Sequence, residues 1–119
     1  MKKGDTAYLR HILDAISRIE EYTKGIEYED FMEDHLIQDG VIRQIEIIGE
    51  ATKRLSDEIL EKYQDIPWKD MAGMRDKLIH DYLGVDMDAV WETVEGDIPL
   101  LKNKLKDLIK RAKPHEKYG

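Results

Sequence analysis

Eight consecutive residues, Arg75-Asp76-Lys77-Leu78-Ile79-His80-Asp81-Tyr82, bring a fixed cation, an imidazole, carboxylates and a phenol into one short stretch. Arg presents paired N–H donors that grip a phosphate or carboxylate in bidentate form. His titrates near neutral pH and is the natural side chain to accept and return a proton. Together they suit chemistry at an anionic centre. The spacing predicts a helix here: Pro67 fits a first turn, and no further Pro comes before Pro99. On an ideal helix with Arg75 at zero, Leu78 falls at about −60°, Met71 at about −40°, Ile79 at about +40° and Ala72 at about +60°. Arg75 is therefore expected in the middle of the apolar face, where an unpaired cation is costly. Tyr82 shares that stripe. His80 and Asp76 are four apart and stack on an adjacent flank. Two readings stand open on geometry alone. One is a structural Arg paired with a buried acid, beside a helix-end His and a core Tyr. The other is a functional site.

The elements that must position this stretch are all helical. Asp5 or Thr6 caps a first helix to about Lys24, with Tyr8, Leu9, Ile12, Leu13, Ile16 and Ile19 at helical spacing and Gly25 as its stop. His11 is read as a surface residue. Residues 26–34 form an acidic connector. A metal site from Glu33, Asp34 and His35 is disfavoured, because adjacent side chains diverge on a helix. A second helix runs from His35 to Leu55, with Ile37, Val41, Ile45, Ile48, Ala51 and Leu55 inward and Ile42 and Ile47 on opposite flanks. An apolar arc that wide implies burial on more than one side and suggests a subunit interface. Gln44 lies in the inward stripe and needs a polar partner. Gly40 and Gly49 weaken the helix but permit close approach.

A short helix follows Ser56, and Gln64–Pro67 is a turn. The helix carrying the key stretch is expected to end at Leu83-Gly84-Val85, with Gly84 left-handed. Asp86 caps the last long element, which Gly96 and Pro99 should kink or split. Trp68 and Trp91 read as core rather than stacking platforms. Lys102, Lys106, Lys110 and Lys113 lie near one line, either a solvated face or a patch that guides RNA. Residues 112–119 read as a flexible tail. There is no strand-like alternation. The expectation is one all-α domain over residues 1–119, an antiparallel bundle of four to five helices.

Composition narrows the function classes. The chain has 119 residues, no Cys and a formal net charge of −7. Disulfides and thiolate metal sites are out. Bulk charge argues against non-specific nucleic-acid binding but leaves room for a local basic site. No apolar stretch suits a signal peptide or a bilayer span, so no membrane association and a cytoplasmic location are expected.

The sequence resembles a known family at several places. Arg75-x4-His80-x-Tyr82 matches the Arg-x4-His-x-Tyr signature of the HEPN superfamily. Ile48-Gly49-Glu50-Ala51-Thr52-Lys53, Ile66-Pro67-Trp68, Gly73-Met74-Arg75 and Val85-Asp86-x4-Trp91 resemble the HepT branch, whose members pair with the minimal nucleotidyltransferase MntA. The likeness runs from about Tyr8 to Leu108. It implies a homodimeric helical bundle whose two Arg-x4-His motifs face one cleft, and a metal-independent endoribonuclease toxin that needs no cofactor. Arg75 would stabilise charge on the scissile phosphate, and His80 would act as general acid or base. Asp76 would orient the site, where the family often has Asn. Tyr82 resembles the tyrosine that an MntA-type antitoxin adenylylates. Two alternatives stay open: a non-catalytic binding partner of a nucleotidyltransferase, and a purely structural helical dimer.

Overall fold

The computed structural model describes residues 2–81 and 84–118, with side chains over 2–79 and 84–112. Helix α1 (Lys3–Thr23) buries Leu9, Ile12, Ile16 and Ile19 along one stripe and ends before Gly25, which adopts φ 75°. Asp5 lies inside α1 rather than capping it from outside. Its carboxylate, 2% exposed, accepts from the Lys2 N–H at 3.2 Å, the Ser56 N–H at 2.8 Å and the Ser56 hydroxyl at 2.5 Å. A buried carboxylate needs such donors. The two bonds from Ser56 also tie the start of α1 to a point fifty-one residues on.

The short helix α2 (Tyr28–Glu33) buries Phe31, against which Trp91 stacks at 5.1 Å between ring centroids. Helix α3 (His35–Lys53) is capped by Asp34, whose carboxylate accepts from the Ile37 N–H at 3.1 Å. It is the central element: α1, α2 and the two short helical segments between Trp68 and Leu78 all pack on it. Val41, Ile45 and Ile48 are buried and meet the α1 stripe, while Ile42 and Ile47 are half-buried. Each fully buried aliphatic contributes on the order of 1.5–3 kcal/mol.

Both α3 glycines mark close approaches. A Cβ on Gly40 would stand 3.1 Å from the Tyr22 ring, and one on Gly49 would stand 3.2 Å from the Ala72 carbonyl oxygen. Gln44 is buried as expected. No fully buried side-chain polar atom among the described residues lacks a partner.

Helix α4 (Asp57–Lys62) follows, and Tyr63 then accepts the Trp68 indole N–H through its carbonyl at 2.9 Å. Beyond it the structure departs from the expected single helix. Helix α5 (Trp68–Ala72) stops at Gly73, helix α6 (Met74–Leu78) restarts, and Ile79 turns extended at φ −101°, ψ 110°. Strands β1 (Ile79–Asp81) and β2 (Gly84–Val85) then pair antiparallel, Ile79 with Val85 and Asp81 with Gly84, around an irregular register. Gly84 is thus extended, not left-handed. The Asp86 N–H closes the ribbon onto the Leu78 carbonyl at 3.1 Å.

Helix α7 (Met87–Glu92) is capped as expected, Asp86 accepting from the Ala89 N–H at 3.1 Å. Gly96 and Pro99 do split the last element: a π-helical segment, Thr93–Asp97, joins α7 to α8 (Ile98–Tyr118). The Ile98 N–H reaches back five residues to the Thr93 carbonyl. Pro99 has no N–H and crowds the preceding turn, and a widened turn absorbs both problems. Ile98, Leu101, Leu105 and Leu108 complete the core. The all-α class and the bundle stand, with the small ribbon as the one extended feature among the described residues. The expected tail falls on the last turns of α8, whose side chains beyond 112 lie outside the described residues.

Candidate functional site

Arg75 sits on α6, one turn before the ribbon, and it is not buried: 51% of its side chain is exposed. The expected apolar face was misphased. Met71, Met74 and Leu78 are the buried residues here, while Ile79 and Ala72 are only half-buried. The buried arc therefore centres about 70° away from Arg75. Ile79 and Ala72 had drawn it toward Arg75 on an unbroken helix, and the break at Gly73 removes that frame. Within the single chain, Arg75 is in no buried ion pair.

Two carboxylates hold the guanidinium. Arg75 Nε stands 3.1 Å from Glu46 Oε2 on α3, and Nη1 stands 3.5 Å from Asp76 Oδ1. Glu46 is the more enclosed partner, 34% exposed against 73% for Asp76. The close contact of α3 with the α5 end at Gly49 is what brings Glu46 within reach of α6. Glu46 was not singled out in the sequence. The signal for it was weak: an Arg expected to need an acid, and an acid on the flank of α3, twenty-nine residues away. Arg75, Glu46, Arg43 and Glu50 line one recess of about 280 Å³, floored by Gly49 and Ala72.

The backbone of His80 lies in β1, so His80 begins where the helix has already ended. The expected helical stacking of His80 on Asp76 does not apply, because α6 stops at Leu78. The His80 side chain and the whole of Tyr82 lie outside the described residues. Asp76 is brought to Arg75. Among the described residues, no group of three or more His, Asp or Glu side chains is placed to hold a metal.

Elsewhere several charged residues pair. Lys77 meets Asp97 at 3.2 Å, and Lys102 meets Glu20 at 2.9 Å. Lys102 thus leaves the expected α8 lysine line and serves the contact with α1. Arg111 meets Asp65 at 3.3 Å and stands 5.0 Å over the Tyr63 ring. Among the described residues, no helix is long and apolar enough to cross a membrane.

A helical bundle with the Arg-x4-His stretch at its helix-to-ribbon junction is compatible with an all-α protein of the HEPN type. A family model described as ribonuclease HepT-like matches residues 12–108, and the chain belongs to that family. A Thermococcus cleftensis protein named "Probable ribonuclease HepT" is 49% identical over 110 residues, 92% of this chain and 100% of its own length. An RNase-named protein of Caldanaerobacter subterraneus subsp. tengcongensis is 45% identical over 111 residues, 93% of this chain and 99% of its own. A Methanocaldococcus jannaschii protein, whose name joins gamma-glutamylcyclotransferase to RNase, is 53% identical over 105 residues. That match takes 88% of this chain but only 47% of the longer protein. No solved structure matches.

Proposed function

We propose that this protein is a HepT-like toxin: a metal-independent endoribonuclease whose site is completed when two copies bring their Arg75 and His80 residues to one cleft. The observation that carries the reading is the open guanidinium of Arg75, held 3.1 Å from Glu46 beside the strand that carries His80. The family membership supports it. Half-buried Ile42 and Ile47, on opposite flanks of α3, leave some apolar surface for a two-fold partner.

In this reaction the ribose 2′-hydroxyl attacks the adjacent phosphorus, and the bond from phosphorus to the next ribose 5′-oxygen breaks. His80 accepts the hydroxyl proton, and the leaving oxygen takes a proton from the second imidazole of the dimer. Arg75 binds the phosphate as charge builds on it. Asp76, on the exposed side of Arg75, is the carboxylate a phosphate would displace, while Glu46 keeps hold of Nε. A nucleotidyltransferase antitoxin of the MntA type would silence the toxin by adenylylating Tyr82. The added phosphate would compete for Arg75.

The test is cleavage of a structured RNA with chelator present, using the parent, Arg75→Ala and His80→Ala, with mass measured by light scattering. A dimer whose cleavage disappears in both variants is expected. Full cleavage by His80→Ala rejects the catalytic role. A parent that binds its nucleotidyltransferase but never cuts RNA leaves only the binding-partner reading. Intact-mass spectrometry after co-expression with the nucleotidyltransferase checks for the adenylyl group on Tyr82.

A further inference from the structure

Helix α6 is only five residues long, and no side chain caps its start at Gly73. It supplies Arg75 but cannot by itself fix the direction of so long a side chain. With 51% of it exposed, Arg75 would sample many rotamers unless something outside its own segment held it. Asp76 is the next residue of the same short helix and moves with it. Its Oδ1 lies 3.5 Å from Arg75 Nη1, past the usual range of an N–H···O bond. Glu46 is anchored elsewhere. It belongs to the nineteen-residue α3, where its neighbours Ile45 and Ile48 are buried in the core. Its Oε2 accepts a hydrogen bond from Arg75 Nε at 3.1 Å.

A backbone contact one turn away sets the distance. Glu46 and Gly49 are three apart on α3, so they share a face of that helix. A Cβ on Gly49 would stand 3.2 Å from the Ala72 carbonyl oxygen, so α3 and the end of α5 touch there through their backbones. The Glu46 carboxylate therefore meets Arg75 from a fixed place. A guanidinium has two forked edges: Nε with one Nη group, and the two Nη groups together. Glu46 closes the first edge at Nε. On the second, Nη1 has only the long contact with Asp76, and Nη2 has no ion pair or hydrogen bond with any described residue. That second edge can hold two oxygens of one phosphate in parallel N–H···O bonds.

We propose that Glu46 is a positioning residue for RNA cleavage: by binding Nε it directs the Nη1–Nη2 edge of Arg75 to the scissile phosphate. The inference rests on the ribonuclease reading for the reaction that Glu46 serves. Glu46 touches no substrate and exchanges no proton. It acts through Arg75 alone, and it decides which edge of the guanidinium is left for charge that builds on the phosphate.

The experiment has two arms, both on the full chain. In the first, the protein carries nitrogen-15 arginine, and the Arg75 Nε–H signal is identified by its absence in Arg75→Lys. In the parent this proton should exchange slowly with water and hold its position as inorganic phosphate is added. In Glu46→Ala it should exchange as fast as in free arginine. In the second arm, RNA cleavage gives kcat and KM. Glu46→Ala should lower kcat about 10–100-fold with KM near the parent value, because a small misplacement of a charge-stabilising group costs up to about 10²-fold in rate. Glu46→Gln keeps an oxygen that accepts from Nε–H and should recover most of the loss. Urea midpoints of both variants should match the parent. A parent Nε–H that exchanges like free arginine, Glu46→Ala cutting at the parent kcat, a loss confined to KM, or Glu46→Gln no better than Glu46→Ala each overturns the positioning role. A parent that cuts no RNA defeats the ribonuclease reading instead, and the exchange and phosphate measurements then still decide whether Glu46 directs the grip of Arg75.

Discussion

Arg75 Nε and Glu46 Oε2 stand 3.1 Å apart, and this pair links α6 to α3 through side chains that are both partly open to water. An exposed ion pair contributes little to stability, because water screens it and two long side chains must be ordered to form it. It can still orient a guanidinium. Arg75→Ala and Glu46→Ala should each shift the unfolding free energy by less than about 1 kcal/mol, with a coupling of about 0.2–1 kcal/mol in a double-mutant cycle. Arg75→Ala should nevertheless abolish RNA cleavage. Urea denaturation alongside the cleavage assay checks both halves. A loss of several kcal/mol from Arg75→Ala would mean that the side chain is buried in the assembled protein.

The two glycines of α3 should respond oppositely to alanine. At Gly40 the new Cβ meets the Tyr22 ring, a side chain that can shift, and the helix gains about 1 kcal/mol of propensity. At Gly49 the Cβ meets the Ala72 carbonyl oxygen, which belongs to the backbone where α5 ends. Overpacking there costs about 1–3 kcal/mol and should outweigh the same gain. Gly40→Ala should therefore be neutral or more stable and Gly49→Ala less stable in urea melts. The reverse order would show that α3 and α5 have slack between them.

Asp5 is the buried polar group that most constrains the fold. Asp5→Ala strands the Ser56 N–H and hydroxyl, and leaving a buried donor unpaired costs about 1–3 kcal/mol. Asp5→Asn keeps an acceptor and should cost less. Denaturant midpoints with unchanged slopes test the ranking. Equal stability of the alanine variant and the parent would refute it.

Tyr28 on α2 donates to Asp88 on α7, and this hydrogen bond, with lesser help from desolvation and from the Asp88 and Glu29 charges, raises its pKa above the usual 10.0. The protonated phenol is the form the fold favours. The bond's contribution is therefore fully present below the unfolded tyrosine pKa and is lost as pH rises through the higher folded value. In an alkaline titration followed by phenolate absorbance, the Tyr28 phenol should ionise above the usual 10.0. Asp88→Asn should bring it back down toward 10.0. A parent and variant with superimposable titrations would rule out the contact in solution.

Much of the helical frame was legible in local sequence. Asp34 and Asp86 cap the helices they precede, because a short carboxylate before an amphipathic run satisfies free N–H groups. Gly25 takes the left-handed turn that ends α1, and the stripes Ile12-Ile16-Ile19 and Val41-Ile45-Ile48 meet in the core. The Arg-x4-His motif and its accompanying blocks indicated the family. These are short-range signals, each complete within a turn or two of chain.

Around the candidate site, tertiary structure decided what periodicity left open. Residues 67–83 can be wound on one helix in a phase that buries Arg75. The chain instead breaks at Gly73; Met71, Met74 and Leu78 take the buried side, and Arg75 is exposed. Ile79 is β-branched and pairs with Val85, which draws Gly84 into a strand and carries the backbone of His80 off the helix. Glu46 becomes Arg75's partner only because Gly49 lets α5 close on α3. A helical pattern records which residues prefer burial, but the choice between two nearly equal phases is made by neighbours distant in sequence, through the apolar surface each phase covers.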